Sequence, residues 1–208
     1  MTLADKVTSA RLVLAPAFFV IYLLPGILPS LSTAALPSAG AGAPPVGAAW
    51  TVPVLWIIFA VSEITDMLDG MIARKRAEVS DFGRLFDPFA DTLTQISYFL
   101  CFVVDGILPP ILFLAVLYRE FSILFVRNLM LKKGITQGAR MGGKVKTVTY
   151  IMAGGLALLA SSALRLGFGE ELYRYLVIAA RVVFGLSVVF AIVSFWDYVS
   201  LYRKTPGN

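Results

Sequence analysis

The sequence predicts an all-α, polytopic membrane protein with six transmembrane helices and both termini on the cytoplasmic side. Three observations predict it: the composition, the spacing of the apolar segments, and the one-sided placement of basic residues. Of 208 residues, 58% are hydrophobic and 15% charged, and the mean hydropathy is +0.81. A soluble domain would carry about 45–50% apolar and about 25% charged residues. Helices of about 20 residues joined by short loops use up the whole chain as one domain over residues 1–208.

The apolar segments run in order from about Arg11 to Leu28, Trp50 to Ala73, Phe86 to Val104, Ile107 to Leu131, Val145 to Leu164, and Leu172 to Leu201. Each is long enough to cross roughly 30 Å of hydrocarbon. The first has Lys6 ahead of an apolar run and small residues near Ala34, as a signal peptide has. Five further spans favour its retention as a first transmembrane helix. Pro29 to Ala48 is rich in Pro, Gly, Ala and Ser and carries no charge, which predicts a flexible external loop. Asp105-Gly106 and Pro109-Pro110 mark a tight turn between the third and fourth spans.

Basic residues set the orientation. Lys6 and Arg11, then Arg74, Lys75, Arg76 and Arg84, then Lys132, Lys133, Arg140, Lys144 and Lys146, and finally Arg203 and Lys204 all fall on one side. The other side has Arg165 and Arg174, offset by Glu170 and Glu171. The positive-inside rule puts the basic side in the cytoplasm.

The chain has no histidine, which removes imidazole metal sites, phosphohistidine chemistry and His-dependent triads. Its single cysteine, Cys101, sits in an apolar run with no base beside it, so it reads as packing, lipid-facing or internal. The chemistry lies in carboxylates. Asp66 and Asp69 close the second span, and Asp87 and Asp91 open the third. On helices, spacings of three and four place each pair on one face. The short basic loop predicts that the two helices are antiparallel neighbours, so that all four acids meet. One acid at mid-helix costs about 2.5–3.5 kcal/mol on insertion scales, and like charges this close repel. Divalent cations relieve both penalties, and an all-carboxylate donor set suits Mg²⁺ or Mn²⁺ rather than zinc. Gly70, Ala73 and Gly83 fall on the same stripes, leaving room for a nucleotide diphosphate, with Arg74 placed for a phosphate.

Asp66-x-x-Asp69-Gly70-x-x-Ala73-Arg74, eight residues, then Gly83-x-x-x-Asp87-x-x-x-Asp91 resembles the signature of the CDP-alcohol phosphotransferase family at every fixed position. The resemblance implies a six-helix fold, a homodimer, and a site facing the cytoplasm at the inner membrane. It implies two metal ions on Asp66, Asp69, Asp87 and Asp91, with Asp91 as general base. It implies a CDP-lipid pocket from Asp69, Gly70, Ala73, Arg74 and Gly83, joined by Thr8.

Tyr118-Arg119-Glu120, Arg127 and Gly143-Lys144-Val145-Lys146-Thr147 are similar to bacterial phosphatidylglycerophosphate synthases, which accept glycerol 3-phosphate. Arg119, Arg127, Lys144 and Lys146 are cationic donors suited to an acceptor phosphate; Arg119 has the alternative of pairing with Glu120. Thr92, Asp5 and Glu63 depart from the synthase pattern, which usually has lysine, asparagine and a small residue there. On this reading the partners are CDP-diacylglycerol, glycerol 3-phosphate, the bilayer and a second copy, with no nucleic acid. Inositol phosphate, serine or an aminoalcohol is the alternative acceptor, and a cation transporter is the alternative class.

Overall fold

The computed structural model describes the backbone over residues 3–33, 48–76, 81–132 and 141–204, and side chains over 8–26, 48–66, 86–130 and 145–203. Those residues form α1 (Leu3–Thr33), a 3-10 turn (Ala48–Trp50), α2 (Thr51–Arg76), α3 (Asp81–Val104), α4 (Pro110–Lys132), α5 (Met141–Arg165) and α6 (Glu170–Lys204). Each predicted segment falls on its own helix. Helix α1 continues to Thr33, into the stretch expected to be a loop; positions 34–47 of that stretch lie outside the described residues. Helix α4 begins at Pro110, where the missing N–H costs nothing, so Ile107 and Leu108 belong to the preceding turn.

Four stretches, Thr8–Gly26, Ala48–Asp66, Val145–Arg165 and Glu170–Arg203, are long and apolar enough to cross a membrane. Helices α3 and α4, of 24 and 23 residues, reach about 36 and 35 Å, so length does not set them apart. Polar residues do: Asp87, Asp91 and Gln95 on α3, and Arg119, Glu120 and Arg127 on α4.

Aromatic side chains knit the core across helices. Tyr98 of α3 meets Phe18 of α1 at 4.4 Å and Phe59 of α2 at 5.5 Å between ring centroids. Phe99, one residue on, turns the other way to Phe184 of α6 at 4.8 Å and Tyr150 of α5 at 5.3 Å. Helices α5 and α6 pack most extensively, and both carry small buried residues, Ala153, Ala157 and Ala160 on α5 and Ala180, Ser187 and Ala191 on α6, of the kind that lets helix backbones approach. Cys101 is buried in this core, as packing rather than on the outer face.

Among the described residues the backbones of α2 and α3 rarely come close, their contact running through side chains such as Tyr98 and Phe59, and both helices pack chiefly on α1, most extensively α3. Helix α1 therefore packs on both of the helices that carry the acids.

The end of the bundle remote from the acids is closed by hydrogen bonds. Gly106 (φ +70°) and Gly167 (φ +75°) end α3 and α5 in the left-handed region, where a Cβ would be strained. The Ile107 amide bonds the Phe102 carbonyl at 2.9 Å and the Phe168 amide bonds that of Ala163 at 2.9 Å, the Schellman pattern. Beside them Arg165 donates to Ser161 Oγ, Thr51 Oγ1 and the Tyr22 carbonyl at 2.9–3.1 Å. The Tyr22 hydroxyl donates to Asp105 Oδ2 at 2.6 Å. Burial pushes the Asp105 carboxyl up from its ordinary value; the Tyr22 hydrogen bond and Arg165 offset part of that. Arg181 of α6 caps the same turn through the Ile107 and Gly106 carbonyls at 2.9 and 2.7 Å.

Candidate active site

Helix α1 contributes two polar residues three apart, Thr8 and Arg11, both buried. Three-residue spacing puts them on one face, and each meets a different acid. Thr8 Oγ1 donates to Asp87 Oδ1 at 2.8 Å. Arg11 Nη1 pairs with Asp66 Oδ1. One turn of α1 thus holds the acid of α2 and the first acid of α3 in register, across sequence separations of 55 and 79 residues.

Asp87, Asp91 and Gln95 recur every four residues and make one stripe on α3. Gln95 Nε2 donates to Asp91 Oδ1 at 2.9 Å. The charged groups that act on Asp91 are Asp66, Lys146, Arg11 and Glu120. Glu63, one turn before Asp66 on α2, feels Asp91, Asp66 and Arg11. The acids of α2 and α3 therefore share one electrostatic space with a cation from α1 and another from α5.

The acceptor-side candidates divide. Arg119 Nη1 and Lys146 Nζ both contact Glu120 Oε1, at 2.8 and 2.9 Å, and all three residues are buried. The Tyr150 hydroxyl donates to the same oxygen at 3.2 Å, and the Lys146 ammonium lies 4.5 Å from the Tyr150 ring centroid. Arg119 Nε is anchored on the Ala191 carbonyl of α6 at 2.9 Å. So Arg119 does pair with Glu120, and the resulting cluster keeps one net positive charge. Arg127 is turned elsewhere: Nη2 donates to the Tyr198 hydroxyl at 3.2 Å, with the guanidinium 5.4 Å from that ring centroid. The side chains of Asp69, Gly70, Ala73, Arg74, Gly83 and Lys144 lie outside the described residues; Asp69, Gly70, Ala73 and Arg74 stand on α2, Gly83 on α3 and Lys144 on α5.

Among the described residues no three acids form a group that could by itself hold a metal ion, and Asp69 is not among them. The chemistry of the donor set still fits a hard divalent cation. Asp66, Asp87 and Asp91 offer oxygens only, and a guanidinium rests on Asp66, showing that this carboxylate takes a positive neighbour. Helix α1 also puts no apolar residue between Thr8, Arg11 and the acids they hold.

Sequence reasoning did not assign Glu120, Gln95, Tyr150 or Tyr198 a place at the site. Gln95 had a usable signal, since it continues the four-residue step from Asp91. Glu120 had another, since a carboxylate inside an apolar span must find a cation. The two tyrosines had none, because aromatic residues are common throughout these spans.

A family model described as CDP-alcohol phosphatidyltransferase matches residues 1–195. The chain is similar to the CDP-diacylglycerol–glycerol-3-phosphate 3-phosphatidyltransferase of Treponema pallidum (strain Nichols), 35% identical over 204 residues, covering 97% of this chain and 89% of that protein. It is similar to the protein of the same name from Bacillus subtilis (strain 168), 31% identical over 202 residues, covering 95% and 93%. It is also similar to the probable phosphatidylglycerophosphate synthase of Mycobacterium tuberculosis (strain H37Rv), 30% identical over 155 residues, covering 74% and 68%.

Proposed function

The chain belongs to the CDP-alcohol phosphatidyltransferase family, and from that premise we propose that it transfers the phosphatidyl group of CDP-diacylglycerol to glycerol 3-phosphate, making phosphatidylglycerophosphate and CMP. It is a membrane transferase of phospholipid biosynthesis, and its family is generally dependent on divalent metal. The observation that carries the choice of acceptor is the buried Arg119–Glu120–Lys146 cluster, whose Lys146 acts on Asp91. A net cation beside the acids is where a phosphorylated acceptor finds its counter-charge. The names of the similar proteins favour the same acceptor.

In this reading Asp66, Asp69, Asp87 and Asp91 hold two divalent cations, Mg²⁺ or Mn²⁺. Bound there, the ions would neutralise charge on the diphosphate as its bond to CMP breaks. Asp69, Gly70, Ala73, Arg74, Gly83 and Thr8 form the CDP-lipid pocket. The acceptor oxygen attacks the lipid-side phosphorus, the bond from that phosphorus to the CMP oxygen breaks, and Asp91 takes the hydroxyl proton. Arg119 and Lys146 orient the acceptor phosphate, with Lys144 as a further donor; Arg127, held on Tyr198, drops out of that set. The chain works as one domain, a homodimer with all six helices crossing the inner membrane, and with its site and both termini at the cytoplasmic face.

Purified protein given CDP-diacylglycerol and one acceptor at a time tests the reading through CMP release. Glycerol 3-phosphate is expected to sustain release, while inositol phosphate, serine and ethanolamine do not. A chelator is expected to stop release, and added Mg²⁺ or Mn²⁺ to restore it. Preference for another acceptor would remove the assignment, and undiminished release in chelator would remove the metal site.

A further inference from the structure

We propose that Gln95 is a positioning residue for Asp91, fixing one carboxylate oxygen so that the other faces the reacting hydroxyl. The proposal rests on the reading of Asp91 as general base and adds a residue to it. Gln95 is 7% exposed, and its amide donates to Asp91 Oδ1 at 2.9 Å. The other end of the same amide, Oε1, is buried without a hydrogen-bond partner. Buried polar atoms are nearly always paired, and an unpaired one is a cost that a structural residue avoids. A methionine or leucine would fill this volume without that cost. What the amide does that they cannot is donate to Asp91.

Both acids of the α3 stripe are treated alike. Asp87 has Oδ1 tied by an uncharged hydroxyl from Thr8, and Asp91 has Oδ1 tied by an uncharged amide from Gln95. A neutral donor fixes the carboxylate's rotation and leaves its charge in place, where a guanidinium would have neutralised it. Asp91 has cations close by in Lys146 and Arg11, and either could swing a free carboxylate towards itself. Gln95 ties Asp91 to a point one turn further along α3, which limits such a swing.

The test compares Gln95→Met, which keeps length but cannot donate, with Gln95→Asn, which donates but is too short to reach, and with Asp91→Asn measured alongside. Losing a partner that orients a functional side chain commonly costs 10- to 100-fold. Both Gln95 variants are expected to lower kcat by about that factor, to leave KM for CDP-diacylglycerol and glycerol 3-phosphate within about twofold, and to melt no earlier than the parent. Gln95→Met with full kcat, beside an inactive Asp91→Asn, would overturn the proposal and leave Asp91 as the base. A raised KM together with a lowered Tm in both variants would make Gln95 structural, which also overturns it. An active Asp91→Asn would overturn the base itself, and this inference with it.

Discussion

Asp91→Asn is expected to lower CMP release by about 10³-fold or more, while CDP-diacylglycerol still binds. The asparagine keeps the size of the side chain and an oxygen able to accept the Gln95 amide, so the packing of α3 is preserved. It loses the capacity to take a proton. General bases contribute about 10²- to 10⁴-fold, and Asp91 would also be a cation ligand, so the upper part of that range applies. Single-turnover CMP release beside equilibrium binding of the CDP-lipid separates the two effects. Turnover within tenfold of the parent would take the base away from Asp91. Loss of lipid binding in step with turnover would make Asp91 a binding residue.

The second large effect lies at Glu120. One oxygen of this carboxylate serves Arg119, Lys146 and Tyr150, and its side chain is 3% exposed. Glu120→Ala would leave Arg119 and Lys146 buried without the carboxylate they share. Removing one partner of a buried pair costs about 3–5 kcal/mol, which for a chain of this length lowers Tm by roughly 6–20 °C. Glu120→Gln keeps an oxygen that can still accept one of the three donors, so its loss is expected to be smaller. Thermal unfolding in one detergent reads both variants. Glu120→Ala melting with the parent would mean that the cluster does not hold α4, α5 and α6 together.

The segments were legible because each problem is local. An apolar run long enough to span hydrocarbon, closed by glycine or charge, defines its own helix, and each of the six segments falls on one, although α1 starts eight residues before its predicted beginning and runs five past its predicted end. The acids were legible for a related reason, since a carboxylate inside such a run needs compensation that spacing alone reveals. Partners across the fold were not. Arg11 and Asp66 are 55 residues apart, Thr8 and Asp87 79, and Tyr150 and Glu120 30. No helical period carries information over such distances. The place of α1 was hidden in the same way: a short loop limits the separation of two helix ends and says nothing about what lies beside them. Here α1 takes both.

The Arg165 cluster has a mechanical consequence for how a donor as large as a two-chain lipid gains entry. Its guanidinium joins α1, α2 and α5 at one point, while Asp105 and Arg181 bring in the α3–α4 turn and α6. Tyr22 lies 14 positions along α1 from Thr8, about 21 Å of helix. With that end latched and the acid end tied by Thr8 and Arg11, parting of the acid end requires those two contacts to yield while the latch serves as pivot. A swing of about 5° over such an arm moves the opposite tips by roughly 2 Å, so small angular play at the latch becomes atom-sized clearance beside Asp66 and Asp87.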